Sequence, residues 1–162
     1  MTETGKLADL ITRVTTGDPW HASSLVKVLD GVTADTAASH PVPGAHSIWE
    51  LVLHITGWAD EVRARLAGRP AGEPAAGDWP AVTDMSGEAW RRAVAALVES
   101  HDALAAAIRA SDGSVLDTPV TDQRDPAAGA GLTKYLTLHG LAHHTVYHTA
   151  QIALLVKSAA SR

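Results

Sequence analysis

The chain contains no cysteine and no phenylalanine, and aromatic residues fill only 4% of its 162 positions. Without cysteine there is no disulfide, no nucleophilic thiol and no thiolate ligand, so a metal site has to be built from nitrogen and oxygen. Without phenylalanine, the 46% apolar composition supplies a core of Leu, Val, Ile and Ala, a set that favours helices. No apolar run approaches the ~20 residues of a membrane span. The N-terminus, MTETGKLADLI, is charged and amphipathic and lacks the apolar stretch and cleavage site of a signal peptide, which makes the cytoplasm the default expectation. Formal net charge is −5, and arginines such as Arg63, Arg65, Arg69, Arg91 and Arg92 form no basic stripe along a phosphate backbone. Nucleic acid is therefore not an expected partner. Strand-like alternation and internal repeats are missing too.

What is present is helical periodicity, over a length suited to one domain covering residues 1–162. Leu7, Leu10, Ile11 and Val14 share a face within residues 5–15, ahead of Gly17. Asp18-Pro19 has the order of a cap followed by proline at the first helical position. It predicts a helix with Trp20 and His21 in its first turn, carried by Leu25, Val26, Val28 and Leu29 to Gly31. Residues 33–39 add a short helical turn. Ser47-Ile48-Trp49-Glu50 fits the capping box S-x-x-E, and Leu51, Ile55, Val62 and Leu66 then form the stripe of a helix reaching Gly68. The Gly/Pro/Asp-rich stretch 69–85 far exceeds the ~2–8 residues that usually join antiparallel neighbours, which predicts a crossover along the bundle. Trp90, Val94, Leu97, His101, Leu104 and Ile108 mark a helix over 86–110, a second such loop covers 111–131, and the last helix runs from 132 to about 158. The inference is an all-α four-helix bundle with long loops after its second and third long helices.

Four of the nine histidines fall in the last helix. His144 and His148 stand one above the other at i, i+4, with Gln151 and Leu155 continuing the stripe. Metalloprotease helices present two ligands at that spacing, although the Glu of their motif is absent here. His54, the lone histidine of its helix, lies beside an apolar stripe near Trp58. Three mid-helix imidazoles of this kind are either core histidines satisfied by neighbours or a facial set of nitrogens holding a divalent ion with an open position. Ligating imidazoles pass their other N–H to an acceptor, for which Gln151, Glu61 and Glu50 are candidates, though the capping box has the stronger claim on Glu50.

His139 and His143 are turned away from His144, toward solvent or an interface. His101 faces the core, but if the second and third long helices are parallel it lies about 22 Å from its helix start against about 10 Å for His54, which favours a structural role. Trp58, Tyr147, Trp20 and His21 are pocket candidates, while His40 and His46 carry no usable signal. Ala142, Val146, Thr149, Ala150 and Ala153 make a small, uncharged face, suited either to a homodimer contact or to a helix of the same chain.

Four segments, PWHASSL at 19–25, PVPGAHSIWELVLHITGW at 41–58, Asp78-Trp79-Pro80 and HHTVYHTAQIALL at 143–155, give the chain a resemblance to the DinB-like (DinB/YfiT) metal-binding bundles over about Leu7 to Val156. The resemblance implies an up-down-down-up bundle with a long crossover loop, usually homodimeric, holding zinc or nickel through three histidines. Carried over by position these are His54, His144 and His148. The family commonly has Gly before the Gln; this chain has Ala150 before Gln151. Some members resemble thiol S-transferases using bacillithiol, mycothiol or glutathione, some are proposed hydrolases, and many have no assigned activity.

An open three-nitrogen site in a protein with no thiol of its own favours a metal-dependent transferase that activates a low-molecular-weight thiol for attack on an electrophile. A hydrolase would need a general base, for which Glu61 is the best candidate. A non-catalytic metal-binding interaction module is the third reading.

Overall fold

The computed structural model describes residues 1–121 and 132–160, so that part of the second expected loop, 122–131, lies outside the described residues. Helix α1, Glu3–Thr15, starts where the Thr2 hydroxyl accepts the Gly5 amide, and it buries Leu7, Ala8, Ile11 and Val14. Helix α2 is only Leu25–Leu29, which corrects the helix expected from Pro19. Trp20 is fully exposed at 100%, and His21, Ala22 and Ser23 are exposed with it. A helix begun at Pro19 would have no apolar face to bury over its first turn, and short helices depend on such packing. Ser24 takes the cap position instead.

Helix α3, Ala34–Ala38, is capped by Thr33. Helix α4, Ile48–Leu66, opens with both halves of the capping box formed: Glu50 N–H donates to the Ser47 hydroxyl, and Ser47 N–H donates to the Glu50 carboxylate at 2.7 Å. It closes on Gly68, whose φ of +98° suits glycine, with Gly68 N–H on the Arg65 carbonyl and Arg69 N–H on that of Ala64. That turn folds Arg69 back toward Glu61. Helix α5 is Gly87–Ala110, a 3-10 turn follows at Gly113–Asp117, and α6 is Lys134–Ala160. The described residues contain no strand; an isolated bridge pairs Pro119 with Thr133.

Two apolar clusters divide the bundle lengthwise. Ala59, Val62 and Leu66 of α4, Leu104 and Ile108 of α5, and Leu138 and Leu141 of α6 join α1 in one cluster. Ile48, Leu51, Val52 and Ile55 of α4, Trp90 and Leu97 of α5, and Ile152 and Leu155 of α6 join α2 and α3 in the other. Thus α4 and α5 run in the same direction and α6 runs back against both. The connection 67–86 must return along the bundle to restart α5, and on the way it crosses the level of His54. No helix among the described residues is long and apolar enough to cross a membrane.

Candidate metal centre

Antiparallel packing lays the middle of α6 against the middle of α4, between the two clusters. His54 and His148 are buried, at 5% and 6% exposure, and His144 is half-buried. The His144 Nε2 lies 2.9 Å from the Nε2 of His54 and 3.1 Å from that of His148. Among the described residues these three form the one group of imidazoles, thiols or carboxylates whose donor atoms converge closely enough to hold a metal ion.

The outer ring nitrogens decide the inner ones. His54 Nδ1–H donates to the Asp78 carbonyl at 2.7 Å, and His148 Nδ1–H donates to Gln151 Oε1 at 2.6 Å. In its neutral form each ring takes the tautomer that this bond selects and turns an Nε2 lone pair inward. His144 can donate a proton toward one of those lone pairs but not stably toward both. Three converging nitrogens with at most one proton among them are the donor set of a divalent ion, so the residues fit the group. Burial, then the neighbouring His148 and His54, push the His144 pKa down to about 4. Burial also lowers that of His148, against the Gln151 hydrogen bond. Both shifts favour the neutral, ligating form.

Gln151 is thus the one nominated acceptor that takes a ligand N–H; that of His54 goes to the backbone of Asp78. The other two candidates are occupied. Glu50 serves the capping box and lies 3.3 Å from His40 and 3.4 Å from His46. Burial works against its carboxylate, but the Ser47 amide and His40 outweigh that and hold its pKa below the usual range. Glu61 is buried, receives Arg65 Nε–H at 3.1 Å and Gly72 N–H at 2.8 Å on Oε1, and meets Arg69 through Oε2. Both its oxygens are engaged away from the imidazoles.

His101 is closer in level than its position along α5 suggested. The neighbouring Ser100 hydroxyl donates to the carbonyl of Thr56, two residues along α4 from His54. It still stays out of the group: its Nδ1–H donates to the Leu97 carbonyl, and its buried Nε2 has no partner among the described residues. Burial lowers its pKa. The His139 ring lies tilted against that of Tyr135, 4.5 Å between centroids, and His143 is exposed.

Residues of the 67–86 connection complete the site, and periodicity could not assign them roles. The Trp79 indole is stacked between His54, at 3.9 Å, and His46, at 3.5 Å, nearly parallel to both. Trp58 Nε1–H donates to Asp78 Oδ1 at 2.7 Å, fixing the residue whose carbonyl holds His54. In the sequence Asp78-Trp79 stands out only as part of a family-like segment, since its contacts to α4 and His46 reach 20 to 33 residues back along the chain.

A cavity of about 490 Å³ opens on the three imidazoles, lined also by Trp58, Val62, Arg65, Asp78, Thr137 and Leu141. Tyr147 lies instead against a neighbouring cleft of about 540 Å³ with Trp79, His148 and Leu154. His21 lines a groove on another side, where Val146, Thr149, Ala150 and Ala153 of the small-residue face meet Val28 of α2. Trp20 and His21 therefore belong to surroundings other than the metal cavity.

The fold and site define an all-α bundle whose fourth and sixth helices present a three-histidine group able to hold a metal ion. The family model described as the DinB superfamily matches residues 20–152, and the chain belongs to that superfamily. No curated protein and no solved structure matched.

Proposed function

We propose that the protein is a metal-dependent thiol S-transferase, in which His54, His144 and His148 hold one divalent ion, zinc or nickel, and a low-molecular-weight thiol is the cosubstrate. The carrying observation is that all three imidazoles line a substrate-sized cavity in a chain without cysteine. Such an ion supplies Lewis acidity that lowers the pKa of a thiol entering its open position. The chain's own residues do the rest. Asp78 and Gln151 fix the two imidazole tautomers, Trp79 covers the face of His54, and Trp58, Val62 and Leu141 exclude water from the cavity wall.

Hydrolysis is the second reading, and it is weakened because the Glu61 carboxylate is already saturated by Arg65, Arg69 and Gly72. A purely structural ion is weakened by the cavity. The test is to load purified protein with zinc or nickel and assay glutathione, mycothiol and bacillithiol against model electrophiles such as a chloronitrobenzene and an epoxide. Conjugation that needs both the metal and the thiol is expected. Metal binding without thiol binding or conjugation would overturn the transferase assignment.

A further inference from the structure

The metal cavity has a second chemical end, and we infer that it is an anion subsite: Arg65 receives a carboxylate of the ligand whose other end reaches the three imidazoles. This names a substrate class for the proposed transferase and rests on that reading. Arg65 lines the cavity while being only 7% exposed. It is the only cationic side chain among the described lining residues.

Its structural duties are legible and leave capacity over. Nε–H donates to Glu61 Oε1 and Nη2–H to the Gly72 carbonyl at 2.9 Å, whereas Nη1 has no hydrogen bond to a described residue. The guanidinium is also under-compensated, because the one Glu61 carboxylate is shared with Arg69. Arg69 is half-exposed and solvated, so the excess positive charge that remains in a dry place is at Arg65. Asp78, the one acid of the lining, already accepts the Trp58 indole N–H and lies 3.3 Å from His54 Nδ1. It does not compete for the guanidinium.

Placement agrees. The guanidinium carbon sits 5.4 Å over the Trp58 ring, and that ring is 6.3 Å from both His54 and His144. Positions 54, 58 and 65 follow one stripe of α4, so imidazole, indole and guanidinium form a row along one cavity wall. A flexible acid lying over Trp58, between apolar Val62 and Leu141, can place a sulfur or electrophilic carbon at one end and a carboxylate at the other. A planar guanidinium with free N–H groups is the side chain suited to receive it.

The test uses cobalt(II)-loaded full-length protein, whose visible bands report a thiol at the ion, and compares 6-mercaptohexanoate with 6-mercaptohexanol. Wild type is expected to bind the acid about tenfold or more tightly than the alcohol, the scale of one charge-assisted hydrogen bond in a partly dry site. Arg65→Met should erase that preference while the alcohol still binds, and Arg65→Lys, which keeps the charge opposite Glu61, should retain only part of it if Met destabilises the fold. Equal affinity for the two thiols in wild type overturns the anion subsite and leaves the thiol reading standing. If cobalt binds but neither thiol alters its bands, the thiol reading fails instead. The subsite is then judged by hexanoate alone: a shift of the Arg65 Nε–H resonance supports it, and no shift overturns it.

Discussion

Helix α4 carries two buried polar clusters about two turns apart, centred on His54 and Glu61, and they are built on opposite principles. Around Glu61, every acceptor is met and donors are in excess: the carboxylate takes Arg65, Arg69 and the Gly72 amide, and Arg65 continues to the Gly72 carbonyl with Nη1 left over. Around His54, the outer nitrogens of His54 and His148 are satisfied, that of His144 is buried without a partner among the described residues, and the inner ones face each other with too few protons. A cluster whose carboxylate is saturated by donors ties the 67–86 connection to the helix. One whose lone pairs converge unsatisfied is prepared for a cation from outside. Burial alone does not separate the two, since Glu61 is 1% exposed and His54 5%; the balance of donors and acceptors does.

The largest break in this comparison is removal of a ligand. His148→Ala leaves two nitrogens, and metal affinity measured by calorimetry is expected to fall by more than the ~100-fold that loss of an outer acceptor can cost. Wild-type affinity in that variant would place the ion elsewhere. Glu61→Gln acts on the other cluster. It leaves Arg65 buried beside a neutral partner, so urea unfolding should show a loss of about 3–5 kcal/mol, the usual cost of breaking a buried pair. Metal stoichiometry should remain at one per chain. A variant that stayed stable yet lost the metal would reverse the assignment of the two clusters.

Much of this contrast is legible in the sequence. The i, i+4 pair of His144 and His148 and the stripe beside His54 follow from helix period, and the Ser47–Glu50 box fixed where α4 begins. The Glu61–Arg65 pair was also readable, at i, i+4 with the acid N-terminal, but sequence pattern could not show that Arg69 and Gly72 return to close the same network. What pattern could not reach was loop chemistry: Asp78 offers a backbone carbonyl and Trp79 a flat face, and neither property depends on local spacing. The Asp18-Pro19 signal misled for a related reason. A cap can start a helix only where an apolar face follows, and after Pro19 itself burial resumes only at Ser24 and Leu25.

A finer test compares an outer acceptor with the ligands it orients. Gln151→Ala removes the partner of His148 Nδ1 while leaving all three imidazoles, and metal affinity should drop by about 10- to 100-fold without a large change in stability. An equal loss in Gln151→Glu would argue that the ring needs amide geometry rather than an acceptor.

The smallest expected effect is on pH dependence without metal, and its sign follows from the imidazoles. In the unfolded chain His144 takes up a proton near the ordinary 6.5, whereas in the folded protein it does so only near about 4. Between those values the unfolded state binds more protons, so stability is fully present above pH 6.5 and is lost progressively as pH falls toward 4. His148 and His101, both lowered by burial, add in the same direction. Urea midpoints of the chelator-treated protein should therefore decline over this interval, and His144→Leu should flatten the decline without abolishing it, because His148 and His101 still titrate. A midpoint that stayed level in wild type would mean that His144 and His148 accept protons as readily folded as unfolded, and the desolvated, converging imidazoles that distinguish this cluster from the Glu61 network would not be there.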